Sequence, residues 1–169
     1  MQNQDPNNYW EQLERLEKLI RASELKAGVI FSFHSLILGL IADRLQTFKH
    51  YFEENVILLI LASIWIIFVL ISIFYCFKCF QPQMELKYKK NVFFFKDAVK
   101  KFENSEEYTK ELMRICSSQD EMYELLSEQI HAESNIIDVK FRHVHNSIKF
   151  FGLSFLMLLL ILVTIVLGF

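Results

Sequence analysis

Three long apolar runs dominate the pattern of hydrophobic and polar positions along this chain. They cover Ala27–Ala42, Val56–Phe77 and Phe150–Phe169. The second and third runs contain no charged residue, and each reaches the roughly 20 residues that a helix needs to cross about 30 Å of hydrocarbon. The pattern therefore predicts an all-α membrane protein with three transmembrane helices.

The first apolar run is shorter than the other two and contains Ser32, His34 and Ser35. We expect it to cross the bilayer only if it tilts little or includes Leu45 and Phe48. An ionisable residue inside a span is by default a functional candidate. His34 is therefore interpreted either as a neutral, hydrogen-bonded packing residue or as a gating residue.

The distribution of lysine and arginine predicts the orientation of the chain. Twelve of the 18 basic residues lie between Lys78 and Lys149, whereas only Arg44 and Lys49 lie between the first two runs. Basic loops next to spans stay in the cytoplasm. We therefore expect a cytoplasmic amphipathic helix (1–26) followed by a transmembrane hairpin (27–80), with spans at about 27–44 and 56–77. A cytoplasmic helical sensor region (81–148) is expected between the second and third spans. The third span (149–169) is expected to end with an external C-terminus.

Capping patterns predict where helices begin outside the apolar runs. Asp5–Pro6 has the form of a helix start, and Asn104–Glu107 forms a capping box that predicts a helix to about Cys116. Ser118–Glu121 opens the next helix in the same way. No proline or glycine interrupts Ser118–Phe151, so this helix is expected to continue into the third span.

Between the second span and these capped helices, Pro82 is expected to end the span helix. The chain then resumes with the aromatic cluster Phe93–Phe95. Consecutive phenylalanines cover more than one side of a helix. We therefore expect this cluster to pack both on the bundle and on lipid or another subunit.

The last helix has a narrow apolar stripe that is expected to face the cytoplasmic bundle. Its members are Tyr123, Leu126, Ile130, Ile137, Phe141, Val144 and Ile148. Gln129, Glu133 and Lys140 project along one border of this stripe, where polar groups are half buried. The border either lines a pocket or places Lys140 beside a neighbouring acid such as Glu133.

Charge is segregated along the central segment, although the net charge is only −2. Six lysines and one acid lie in Lys87–Lys101, and nine acids lie in Glu103–Glu133. These segments are interpreted as solvated faces that pair with each other or with anionic lipid headgroups. Alternatively, the lysines form a basic lip for an anionic ligand.

The sequence offers little material for catalysis or metal binding. No nucleophile with a base and an orienting acid stands out, and four glycines leave little for a phosphate loop. Cys76 and Cys79 have the spacing of half a zinc site, but the second pair is missing. Cys116 is also expected to stay a reduced thiol. We expect no enzyme activity, no cofactor and no metal.

Several short motifs in a fixed order resemble the transmembrane effectors of bacterial Pycsar anti-phage systems, which are related to CBASS transmembrane effectors. The motifs are Glu24-Leu25-Lys26-Ala27, Asn91–Phe95 with Asp97, Glu107-Tyr108, Gln129-Ile130 with Ser134, and Lys140-Phe141. The resemblance covers nearly the whole chain. The chain departs from it at Glu24, where aspartate is expected, at Phe141, where tyrosine is commoner, and in lacking a glycine after the aromatic cluster.

The resemblance implies that a cyclic pyrimidine mononucleotide, cUMP or cCMP, is made by a partner nucleotide cyclase and binds the cytoplasmic part. Binding would make the protein damage the lipid bilayer as a homo-oligomer, with no nucleic-acid polymer as partner. Asn91, Gln129, Lys140 and Arg142 are the candidate ligand contacts, cations for phosphate and amides for the base. Arg142 points away from Gln129 and Lys140, so it would act from a neighbouring subunit or not at all. A cyclic oligonucleotide sensor and a non-sensing scaffold or channel subunit are the alternatives.

Overall fold

The computed structural model describes residues 5–46, 55–81 and 90–167. Five helices are numbered here in chain order: α1 (Pro6–Asp43), α2 (Val56–Phe80), α3 (Phe95–Lys100), α4 (Ser105–Cys116) and α5 (Gln119–Leu167). The described residues contain no strand. The prediction of an all-α protein is thus confirmed.

Three of these helices, α1, α2 and α5, are long and apolar enough to span a membrane. The chain is accordingly a multi-pass membrane protein, as its apolar runs predict. Helix α1 joins the N-terminal amphipathic segment and the first apolar run in one element of 38 residues. Phe48, which the sequence offered as an extension of the first span, lies outside the described residues, as does Pro82.

Helix ends follow the local signals in the sequence. The Asn104 side chain caps α4 by accepting a hydrogen bond from the Glu107 backbone N–H at 2.9 Å, and α4 ends at Cys116 as predicted. Helix α5 begins directly after Ser118 and runs 49 residues without interruption. At the start of α2, the Asn55 side chain accepts from the backbone N–H groups of Ile57 and Leu58.

The chain divides into two compact units. The first unit comprises the described residues of Met1–Arg21 and Pro82–Asp138, and the second comprises those of Ala22–Gln81 and Val139–Phe169. Helices α1 and α5 contribute residues to both units.

The core of the first unit forms around α4 and the segment that precedes α3. Val92, Phe102 and Ile115 are buried together, with Phe93 and Tyr108 packed against them. The expectation that Phe93–Phe95 form part of a helix is wrong for the first two, which lie in a turn before α3. The reason is Asn91, whose side-chain oxygen accepts from the Phe93 N–H at 2.9 Å and whose carbonyl accepts from the Phe94 N–H.

The core of the second unit is a seam between α1, α2 and α5. One cluster buries Ala27, Ile30, Cys76, Cys79 and Val144, and another is built on Leu58, Trp65, Val69 and Ile161. The seam also has a polar centre, because the Ser72 hydroxyl donates to the Ser147 carbonyl at 3.0 Å and the Ser147 hydroxyl donates to the Ser72 carbonyl at 3.2 Å.

The apolar stripe predicted for the last helix is correct only in part. Leu126, Ile137 and Val144 are buried, whereas Ile148 is 49% exposed and Ser147 beside it is fully buried. The prediction of a half-buried border at Gln129 and Lys140 is also wrong, since both are buried. Hydrocarbon does not drive isoleucine inward, so small and polar residues occupy the helix contacts near the membrane.

Candidate ligand-binding and gating sites

Asn91 is a buried organising residue of the first unit. Its side-chain amide donates to the Leu125 carbonyl on α5 at 2.8 Å, and its side-chain oxygen holds the Phe93 N–H. Its backbone N–H donates to the Asp97 carboxylate at 3.0 Å. The side-chain nitrogen and oxygen of Asn91 are thus both engaged within the protein.

Gln129 lies one helical turn beyond Leu125 on α5 and is 8% exposed. Its amide donates to Glu133 at 2.8 Å. Burial raises the pKa of the Glu133 carboxyl above its ordinary value, the hydrogen bond from Gln129 opposes that rise, and the negative charge of Glu17 adds to it. The Glu133 carboxyl therefore takes up a proton at a higher pH than an ordinary glutamate does.

Lys140 is a buried cation with two hydrogen-bond partners. Its ammonium donates to the Glu24 carboxylate on α1 at 2.8 Å and to the Cys79 carbonyl near the end of α2. The Lys140 side chain is 4% exposed and that of Glu24 is 41% exposed. The expected pairing of Lys140 with an acid is thus confirmed, but the partner is Glu24 and not Glu133. The acid comes from a position 116 residues away, which local helix spacing does not reveal.

One cation therefore connects the three helices of the second unit. The Cys79 carbonyl lies in the last turn of α2, where unpaired carbonyl groups carry partial negative charge and favour a cation. Lys140 neutralises this helix end and the Glu24 carboxylate together. The contact fixes α1, α2 and α5 at one level of the seam.

The other predicted contacts are placed differently. Arg142 is exposed, on a different side of α5 from the buried Lys140, as the sequence indicated. Gln129 and Lys140 are eleven residues apart on α5, or roughly 16 Å along its axis. Asn91 and Gln129 belong to the first unit, whereas Lys140 and Arg142 belong to the second.

His34, the candidate gating residue, is 1% exposed within the α1 span. Its ring lies edge-on to that of Phe151, with centroids 5.1 Å apart. The Nε2 atom has no hydrogen-bond partner among the described residues. The nearby hydroxyls of Ser32 and Ser35 donate instead to carbonyls of their own helix. The hydrogen bond expected by the packing interpretation is therefore not made at Nε2 among the described residues.

Two open cavities lie outside these residues. A cavity of about 410 Å³ in the first unit is lined by Asp5, Asn8, Tyr9, Gln12 and Ile130. Another of about 510 Å³ follows one face of α1 and is lined by Glu24, Leu25, Gly28, Val29, Ser32, Phe33 and Leu36. Neither lining contains a lysine or an arginine, so neither supplies a cation to a phosphate.

Two acids at these sites were not assigned a role by the residue pattern. Glu24 is the partner of Lys140. Asp97 is 7% exposed and binds both the Asn91 backbone and the Lys101 ammonium. Both acids stand in the motifs that carry the family resemblance, which was the available signal. Among residues 5–46, 55–81 and 90–167, no cluster of three or more metal-ligating side chains is present.

Comparison with known proteins assigns most of the chain to one family. The family model described as the Pycsar effector protein domain, PycTM, matches residues 8–168. Comparisons with curated proteins and with solved structures found no match. The matched region includes all three helices that are able to span a membrane. The chain therefore belongs to the Pycsar effector protein domain family and is a membrane effector of anti-phage defence.

Proposed function

We propose that this protein senses a cyclic pyrimidine mononucleotide, cUMP or cCMP, in the cytoplasm and responds by disrupting the bacterial inner membrane. A partner cyclase supplies the nucleotide after infection, and loss of the membrane barrier causes abortive infection. The protein has no catalytic activity of its own in this scheme. Its N-terminus and first unit face the cytoplasm, and its C-terminus faces outward.

The observation that carries this proposal is the extent of the family match. Residues 8–168 include the helices of the first unit and all three candidate spans in one domain. A sensor and a membrane output within a single chain suit a device that converts a soluble signal into damage. The excess of basic residues in the central segment supports the cytoplasmic orientation.

Asn91, Gln129, Lys140 and Arg142 are the proposed nucleotide contacts. Because Lys140 is already bound to Glu24, a ligand phosphate has to displace that carboxylate to reach the ammonium. The exchange replaces one anion with another at a buried cation, which limits its energetic cost. Arg142 is exposed and contributes from a neighbouring subunit.

The output is proposed to require several copies of the chain. Three spans from one chain do not enclose a pore, so oligomerisation supplies the remaining helices. Helix α5 has 49 residues and is about 74 Å long at 1.5 Å per residue. A tilt at its cytoplasmic end displaces its membrane end, and the third span or the His34 segment rearranges at subunit contacts.

Binding by the purified full-length protein in detergent tests the ligand. Calorimetry with cUMP, cCMP and a cyclic dinucleotide is expected to give saturable binding for one of the two mononucleotides. Loss of one charge-assisted hydrogen bond, worth roughly 1.5–3 kcal/mol, predicts about 10- to 150-fold weaker binding by Lys140→Ala. Lys110→Ala is the matched control, since that lysine is exposed and pairs with Glu106.

Two further variants and one further ligand sharpen this assay. If phosphate competes with Glu24, Glu24→Gln tightens binding because it removes the competing charge while keeping a hydrogen-bond acceptor. Unchanged affinity in Lys140→Ala refutes the assigned contact. Binding of the cyclic dinucleotide alone would identify an effector of the cyclic oligonucleotide type.

The output is tested in cells. Cells that express the protein together with an active cyclase are expected to lose membrane potential, as read by a voltage-sensitive dye. Cells with a cyclase that is catalytically inactive are expected to keep it. Depolarisation that is independent of the cyclase would refute ligand control.

A further inference from the structure

Helix α3 exposes two apolar side chains on adjacent turns of the same face. Phe95 is 62% exposed and Val99 is 76% exposed, and they are related by i,i+4 spacing. Phe94 precedes them and packs on the Phe95 ring, with centroids 5.6 Å apart. The helix thus presents an apolar edge that the first unit leaves uncovered among its described residues.

The charged groups of α3 are sorted by face. Asp97 is the only acid in residues 90–102, and it is turned into the first unit, where it is 7% exposed. There it accepts from the Asn91 N–H at 3.0 Å and from the Lys101 ammonium at 2.8 Å. Lys100 is exposed beside Val99. The outward side of α3 therefore combines apolar side chains with positive charge.

Helix α4 provides an internal contrast. Met113 is 68% exposed, which is similar to Phe95. The cations around it are neutralised, because Lys110 pairs with Glu106 and Arg114 pairs with both Glu111 and Glu121. Exposed apolar surface beside Lys100, which has no ion-pair partner among the described residues, thus distinguishes α3 from α4.

We propose that the outward side of α3 docks on the anionic surface of the bilayer that holds the spans. Phe95 and Val99 enter the boundary between headgroups and acyl chains, and Lys100 contacts lipid phosphates. Helices that lie in this boundary combine an apolar face with flanking lysines in the same way. This surface serves lipid and not the nucleotide.

A fluorescent probe at Val99 tests the proposal in the full-length protein. Cys76 and Cys79 are buried and Cys116 is exposed, so a Cys116→Ser background allows selective labelling of Val99→Cys with an environment-sensitive dye. The labelled protein is placed in nanodiscs of phosphatidylcholine, with or without phosphatidylglycerol. In the anionic discs, the emission is expected to shift to the blue and spin-labelled lipid is expected to quench it. Met113→Cys, labelled in the same background, is the matched control and is expected to remain water-exposed in both.

Charge dependence completes the test. One lysine near an anionic surface contributes about fivefold to the docking equilibrium, so Lys100→Glu lowers the docking equilibrium constant by at least that factor. Salt at about 1 M is also expected to lower the docking equilibrium constant, because the Debye length is then only about 3 Å. A Val99 probe as water-exposed as the Met113 probe in anionic discs would overturn the proposal. Equal quenching in both lipid mixtures would also overturn it. A third such result would be a Val99 probe that becomes less exposed to water when cUMP or cCMP is added in lipid-free detergent.

Discussion

Substitution of the two partners of the Lys140–Glu24 pair is expected to have unequal effects on stability. The Lys140 side chain is 4% exposed, whereas that of Glu24 is 41% exposed. Glu24→Ala leaves a buried ammonium with the Cys79 carbonyl as its remaining partner. Lys140→Met instead leaves a carboxylate that water can reach and fills the space of the lysine stem. The more exposed residue is thus the more damaging one to remove.

The magnitudes follow from burial. Removal of one partner from a buried ion pair costs about 3–5 kcal/mol. Glu24→Ala is therefore expected to cost about 3–5 kcal/mol. For Lys140→Met the carboxylate is hydrated, and the expected cost is about 0–1 kcal/mol.

Thermal unfolding of the full-length protein in detergent, followed by tryptophan fluorescence, measures the difference. At roughly 2–4 °C per kcal/mol for a chain of this size, Glu24→Ala lowers Tm by about 6–20 °C and Lys140→Met by at most about 4 °C. The double variant Glu24→Ala/Lys140→Met should recover most of the loss, because it removes both charges. A Lys140→Met variant at least as unstable as Glu24→Ala would refute the reasoning.

Three other outcomes are expected. Glu133→Gln is expected to raise Tm at pH 7 but not at pH 4. Burial raises the folded-state pKa of the Glu133 carboxyl above about 4.5, so the wild-type protein loses stability as pH rises through that raised pKa. The Glu133→Gln variant has no such carboxyl and does not lose this stability. Equal effects of this substitution at both pH values would contradict that cause. A reporter that is active only outside the cytoplasm is expected to work when fused after Phe169, whereas activity of a cytoplasm-only reporter there would show that the three-span orientation is wrong. Insertion of Gly-Gly near Ser147 is expected to preserve nucleotide binding and abolish depolarisation. Two glycines weaken the continuous helix by about 2 kcal/mol, and two extra residues rotate all following side chains around the helix axis. Full toxicity of that insertion would show that α5 is not the transmission element.

Elements set by nearby residues were predictable from the sequence. The cap at Asn104, the end of α4 at Cys116 and the unbroken course of α5 depend on side chains within a few positions of one another. The spans were predictable because their composition is extreme. The turn at Phe93 and Phe94 was missed because Asn91 fixes it through its own side chain and its contact with α5, and propensity does not include that contact.

The partners of the candidate residues were less predictable. Glu24 reaches Lys140 across 116 positions, so no helical period connects them. The orientation of α5 at Ser147 and Ile148 was also missed, because the stripe was drawn from apolar residues alone. Where lipid surrounds a helix, isoleucine is at no disadvantage outside, and serine is preferred where backbones approach. The rule that apolar residues mark the buried face of a helix therefore applies in the first unit and fails in the second.

This difference has a consequence for switching. Without a hydrophobic force between spans, the seam is held by close packing and by hydrogen bonds such as that between Ser72 and Ser147, each worth about 0.6 kcal/mol on average in membrane helices. Helices held in this way rearrange at low cost. The Lys140–Glu24 contact is the stronger restraint, and it lies where α1, α2 and α5 meet. A ligand phosphate that takes Lys140 from Glu24 would release α1 while the cation stays neutralised. Because a ligand shifts an equilibrium only by its differential affinity for the two states, this exchange is the step at which the proposed nucleotide would have to discriminate between them.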